Sequence, residues 1–291
     1  MITIFSTPRP FKNHFDIIQR NAIKSWSLLR PHCQIILIDD EERTSAKVAE
    51  EFEIECISDV ACNEFGTPLI NDIFKKVYAL AKYEIIAQVN TDIILLSDFI
   101  EAIKISVECM GQNPFYLSGQ RWNLDIYEPI DTSDGNWGKV LVDKARDNGV
   151  LHAISGMDYW VFTKILSHNF ITQLPPFVVG RPCFDTWLIW KMKSLKIPVI
   201  DGTGMLTVIH QNHPYRSKQN YYYEIEKRIN QNLSTGYNNL PTLLCADWLL
   251  SKKGLRKPGF PRRLYTFTSF CVLLNTLISI KRSFRKRGLT A

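Results

Sequence analysis

No Asp or Glu follows Asp247, although eleven of the 35 Lys and Arg residues do. The net charge of +6 therefore has to be divided: residues 1–248 hold 24 basic against 29 acidic side chains, a net of −5, ahead of a basic C-terminal stretch. A protein that coats nucleic acid carries its Lys and Arg across a binding face, so nucleic acid is not an expected partner. Cysteine is scarce and odd in number, seven residues with no C-x-x-C pair. That excludes a zinc ribbon and a disulfide framework. The segment MITIFSTPRPF has no basic start leading into an apolar run and does not read as a secretory signal. The expected compartment is the cytoplasm, where the sequon Asn232-Leu-Ser234 has no meaning. Also missing are G-x-x-x-x-G-K-[ST], H-E-x-x-H, G-x-S-x-G and the kinase set, while Gly202-Thr-Gly204 lacks the third glycine of a dinucleotide fingerprint. With 45% hydrophobic and 22% charged residues, wholesale disorder is excluded too.

What is present is an alternation of strands and helices. Ile2–Ser6 is a short apolar run ended by Thr7-Pro8-Arg9-Pro10, a strand and its loop. Ile17, Ile18, Ala22, Ile23, Trp26 and Leu29 recur at helical spacing before Pro31. Strands follow at Gln34–Ile38, at Ile54–Ile57 and within Glu84–Leu96, with helices over 44–52 and 72–83 between them. Such an order predicts a doubly wound α/β sheet, with ligands outside the carboxyl ends of its strands. The second half is less regular. It shows a strand over 114–121, a polar loop over 122–150 with one helix near 139–147, and a strand over 152–163. A helix over 184–195, a strand over 197–200 and one more over 206–210 follow.

The strand-end polar groups are the candidates for chemistry. Asn90-Thr91-Asp92 interrupts an apolar strand and places oxygen ligands at one point, a pattern suited to Mg²⁺ or Mn²⁺ and a phosphate. Its alternative reading is a turn. Asp185 stands where a helix begins, as a base or as a cap. His210 and His213 form a polar cluster after a strand. Gly156, Asp158, Tyr159 and Trp160 suggest an acceptor-binding shelf, or else a half-buried strand whose aromatics are core.

In this order the residues resemble those of a bacterial family of nucleotide-diphospho-sugar transferases with the GT-A glycosyltransferase fold. The resemblance runs through FSTPRPF, RNAIKSW, IILIDDE, NEFGTPLIND, QVNTDIILL, SGMDYWVF, PPFVVGR with DTWLIW, and VIDGT with VIHQNHPY, over residues 1–250. It implies a GT-A-type mixed sheet with a nucleotide-sugar-binding half near 1–100 and an acceptor half over 101–257. It implies that Thr7, Pro8, Arg9, Asp39, Asn71, Asn90, Thr91 and Asp92 hold the donor. Asp92 and His210 would bind Mn²⁺ or Mg²⁺, Asp185 would be the general base of an inverting transfer, and Trp187 would join the acceptor shelf. Asn90 departs from the usual D-x-D triplet and removes one charge. The rival readings are a sugar-1-phosphate nucleotidyltransferase and a non-catalytic glycan-binding or membrane-scaffolding protein of the same fold.

Beyond Lys257 the chain changes character. Leu264–Ile280 is uncharged and flanked by Arg262-Arg263 and Lys281-Arg282. At about 1.5 Å per residue it is short for a membrane span and suits an amphipathic helix lying on an anionic surface. Residues 258–291 are thus expected to place the protein on the inner face of the cytoplasmic membrane, near a glycan or lipid-linked acceptor. The alternative is a C-terminal helix packed on the domain or on a second subunit, as in a homodimer, with its basic end solvated.

Overall fold

The computed structural model describes residues 1–166, 170–214, 221–234 and 241–266. The apolar run and the final basic cluster, with the membrane contact expected of them, lie outside the described residues. Among the described residues no helix is long and apolar enough to cross a membrane.

The first half alternates as expected: β1 (Ile2–Ser6), α1 (Asn13–Ser27), β2 (Gln34–Ile38), α2 (Thr44–Glu51), β3 (Glu55–Ile57), α3 (Ile70–Leu80) and β4 (Ile85–Val89). β1 pairs in parallel with both β2 and β4, and β2 with β3. The runs ITIFS, QIILI and IIAQV are buried throughout. Strands covered on both faces need apolar side chains on both, which is why these runs do not alternate.

The chain continues through β5 (Ile93–Ile94), α4 (Ser97–Met110), β6 (Tyr116–Ser118), β7 (Trp122–Leu124), α5 (Trp137–Asn148) and β8 (Val150–Leu151). After these come β9 (Tyr159–Thr163), α6 (Phe184–Ser194), β10 (Val199–Asp201), β11 (Ile209–Gln211), α7 (Tyr221–Leu233), β12 (Trp248–Ser251) and β13 (Gly254–Arg256). Among the described residues the main sheet has the order β13-β12-β10-β6-β9-β4-β1-β2-β3, and a smaller one the order β5-β11-β7-β8. The main sheet is mixed, because β9 runs antiparallel to both neighbours and β13 to β12. One apolar cluster joins Ala22, Ile23 and Trp26 of α1 and Phe99 of α4 to one face. Another joins Phe74 and Val77 of α3 and Trp187 and Leu188 of α6 to the other.

The second half corrects several expectations. The ends of the supposed loop over 122–150 are strands β7 and β8, too short to show a period. Residues 152–158 are not strand, so β9 begins only at Tyr159. Attachment to the domain also runs past the expected boundary at 257. Arg262 Nη2 donates to Asp201 Oδ2 at 2.6 Å and to Leu243 O at 2.7 Å.

The break read in the fourth strand has a topological cause. β4 belongs to the main sheet and β5 to the small one, so Asn90-Thr91-Asp92 is the step between them. Because β1, β2 and β4 are parallel and β9 opposes them, Thr7, Asp39, Asn90 and Asp158 all emerge at one edge.

Candidate active site

A cleft of about 690 Å³ opens at that edge. Thr7, Pro8 and Arg9 after β1, Asp39 after β2, Asn90, Thr91 and Asp92 after β4, Asp158 and Trp160 of β9, and Asp185 of α6 all line it. Thr91 shares a 2.6 Å hydrogen bond with the Ser6 hydroxyl, which ties the triplet to β1. The Asp39 carboxylate accepts from the backbone N–H groups of Asp40 at 3.0 Å and Ala46 at 3.2 Å, which fixes it at the cleft.

Asp92 meets two histidines carried to it by the small sheet. β11 pairs antiparallel with β5, setting His210 opposite Ile93, and Gln211 N–H donates to Asp92 O at 3.1 Å. His213 Nε2 then lies 3.0 Å from Asp92 Oδ2, and His210 Nε2 lies 3.6 Å from the same oxygen. One ligand atom from each of the three residues lies within 4.8 Å of the others. Asp92 Oδ1 and His210 Nδ1 are buried without a hydrogen-bond partner. His213 Nδ1 is 3.2 Å from Pro214 O. A carbonyl only accepts, so Nδ1 donates to Pro214 O while Nε2 stands at hydrogen-bond distance from the Asp92 carboxylate. Burial pushes the Asp92 carboxyl up, but the hydrogen bond with His213 and the nearby His210, His213 and Arg121 side chains hold it below its ordinary value. Burial pushes His210 down to about 4, so its ring is neutral at pH 7. Two imidazoles and a carboxylate whose ligand atoms converge, with Asp92 Oδ1 and His210 Nδ1 left unpartnered, fit a divalent ion. His213 was not singled out as a ligand from sequence, although it sits in the quoted VIHQNHPY.

Asp185 is the second residue of α6 and not its cap. The N-cap is Cys183, at φ 90°, with no side-chain cap bond. Asp185 Oδ1 accepts from Thr186 N–H at 2.9 Å. Burial pushes its carboxyl up to about 6, against the pull of the first helix amides.

Other expectations change. Asp158 is not a free shelf residue: its Oδ1 accepts from Asn90 Nδ2 at 2.6 Å, and its Oδ2 forms an ion pair with Arg121 Nη1. Burial pushes its carboxyl up to about 6 while Arg121 pulls it back. Tyr159 faces the opposite side of the sheet, fully buried against Phe99 at 5.9 Å. Trp187 is packed on Phe177 at 5.2 Å in the core. Alternation along β9 sends Tyr159 and Trp160 to opposite faces, so only Trp160 reaches the cleft. Gly156 lies outside the cleft, and a Cβ there would meet the His152 imidazole at 2.1 Å. Asn71 opens α3 without lining the cleft, its Oδ1 buried and unpartnered. Arg181 joins the cleft unforeseen, ion-paired to the buried Glu226 and stacked over Tyr223 at 4.8 Å.

No protein-family model matches the sequence, nor does any curated protein. Solved structures do. S. aureus TarS, residues 1–349 in complex with UDP-GlcNAc, aligns over 87% of this chain and 68% of that one, at 9% identity and a TM-score of 0.50. M. tuberculosis glucosyl-3-phosphoglycerate synthase in complex with Mn²⁺ and UDP-glucose aligns over 82% and 79%, at 15% identity and a TM-score of 0.46. The 4-diphosphocytidyl-2C-methyl-D-erythritol synthase of Anaerococcus prevotii aligns over 79% and 96%, at 12% identity and 0.42. The fold is a GT-A-like α/β fold of the kind found in nucleotide-sugar transferases. At these identities the likeness concerns the fold.

Proposed function

We propose that this protein is a glycosyltransferase that moves a sugar from a nucleoside-diphospho-sugar to a hydroxyl of a glycan or lipid-linked acceptor, with inversion at the anomeric carbon. One observation carries the reading: the cleft is lined both by Asp92, around which His210 and His213 converge behind it, and by a separate carboxyl, Asp185, at the head of a helix. Thr7, Pro8 and Asp39 take the nucleoside at the ends of β1 and β2, while Arg9 and Arg181 offer cations to its diphosphate. Asp92, His210 and His213 hold the metal, and two imidazoles favour Mn²⁺ over Mg²⁺. Bound there, the ion supplies neutralisation of charge on the leaving diphosphate. Asp185 takes the proton of the acceptor hydroxyl as it attacks. A carboxyl near 6 is mostly ionised at pH 7 yet more basic than an exposed one. The basic C-terminal stretch beyond the Arg262 contact with the domain brings the enzyme to an anionic membrane face, which fits a lipid-linked acceptor.

A calorimetric screen of nucleotide sugars with and without Mn²⁺, followed by NMR of the product's anomeric proton, tests this reading. Mn²⁺-dependent donor binding and an inverted product are expected. A product that keeps the donor's configuration overturns the role of Asp185.

A further inference from the structure

The charge missing from the triplet reappears on the next strand. β4 and β9 are antiparallel, with Gln88 opposite Trp160 and Val89 opposite Tyr159. One step on, Asn90 N–H donates to Asp158 O at 2.9 Å, so the two side chains stand together at the cleft. Asn90 Nδ2 donates to Asp158 Oδ1 at 2.6 Å, and Asp158 Oδ2 is paired with Arg121. Both members of that pair are buried, Asp158 at 7% and Arg121 at 6% exposure.

This arrangement decides which way the Asn90 amide lies. An ionised carboxylate only accepts, so the amide nitrogen must face Asp158 and the amide oxygen must face away from it. Asn90 Oδ1 takes no hydrogen bond among the described residues, and Asn90 lines the cleft two positions from Asp92.

We infer that Asp158, held by Arg121, is a positioning residue that locks Asn90 so that its neutral amide oxygen is offered to the cation and diphosphate beside Asp92. The inference rests on the function proposed above and deepens it. An acid at position 90 would face the Asp158 carboxylate at hydrogen-bond distance, and two like charges there cannot both ionise comfortably. Restoring the more usual acidic triplet by Asn90→Asp is therefore harmful here, unless Asp158→Asn accompanies it. In the exchanged pair the amide at 158 donates to the acid at 90 and still offers an oxygen to Arg121.

The test measures Mn²⁺ binding in the presence of UDP, with thermal melting, for the wild type, N90D, D158N and N90D/D158N. Partners that orient a metal site typically change affinity about 10–100-fold, so each single variant should lose about tenfold or more and the exchanged pair should regain most of it. N90D binding as tightly as the wild type overturns the inference. So does an exchanged pair that melts like the wild type yet binds Mn²⁺ no better than the singles, which would mark a structural brace only. A wild type that binds no Mn²⁺ with UDP counts against the proposed function instead. In that case the melting temperatures decide the pairing: the exchanged pair above both singles supports it, and at or below them refutes it.

Discussion

His213 and Asp92 lie 121 positions apart, yet the imidazole Nε2 stands 3.0 Å from the carboxylate Oδ2. The strand pairing of β11 on β5 delivers both histidines to Asp92, the residue just before β5. Asp92 Oδ1 and His210 Nδ1 are buried without a partner, and ligand atoms of all three side chains converge, so their removal should be felt in metal binding before stability.

His213→Ala and His210→Ala are each expected to weaken Mn²⁺ binding by an order of magnitude or more, with donor binding falling in parallel. Isothermal titration measures both. Unchanged Mn²⁺ affinity in His213→Ala would confine that residue to a hydrogen bond with Asp92.

Asp185→Asn should keep donor and Mn²⁺ affinity while kcat falls by about 10²–10⁴-fold, the usual contribution of acid–base catalysis. In the wild type, kcat should rise as pH increases through about 6, where the buried carboxyl ionises. The residual activity of the variant should lack that limb. A residual rate that keeps the wild-type pH limb would assign it to another group.

Asp98 opens α4 with its carboxyl pushed up to about 6 by burial; Oδ2 accepts from Thr207 N–H at 2.7 Å and Oδ1 has no partner. Its folded value lies above the unfolded one of about 3.9. Between those values the native state binds more protons than the unfolded chain, so stability falls as pH rises from about 4 to 6. Asp185 and Asp158 are raised to about 6 as well, so Asp98→Asn should reduce that slope by the share of one carboxyl and stabilise the fold at pH 7 by roughly 1–3 kcal/mol. Urea titrations at pH 4.5 and 7 read it directly, and an unaltered slope would contradict the assignment.

Where the chain is cut should also matter. Asp201 is 3% exposed, and Arg262 reaches it from beyond the expected domain boundary. Ending the chain after Lys257 leaves that acid unpaired, at a cost of up to about 3–5 kcal/mol, discounted because Arg262 is partly exposed. Ending it after Thr266 should preserve the melting temperature and remove affinity for anionic vesicles. Equal stability of the two truncations would show that the Arg262–Asp201 pair contributes little.

The readable parts of this protein were those with local signals. Apolar runs ending in polar residues marked β1, β2 and β4, and the triplet inside an apolar strand marked the cleft before any contact was known. The rest depended on distance along the chain. Arg121 has no local signature because its partner, Asp158, is 37 residues away. Tyr159 and Trp160 look alike as an aromatic pair, and only the pleat separates core from cleft. β7, β8 and β13 have two or three residues each, fewer than a period can reveal. Asp185 reads as base or cap from sequence, because the helix start is not marked to the residue; the N-cap position falls on Cys183.

The most direct measurement is a crystal structure of the protein soaked with Mn²⁺ and UDP, with anomalous differences collected at the manganese edge. A single peak bonded to the carboxylate of Asp92 and to Nε2 of His210 and His213, and touching the diphosphate, is the expected result. A diphosphate bound in the cleft with no manganese at those three residues, or manganese elsewhere, would contradict the proposed metal-dependent transfer.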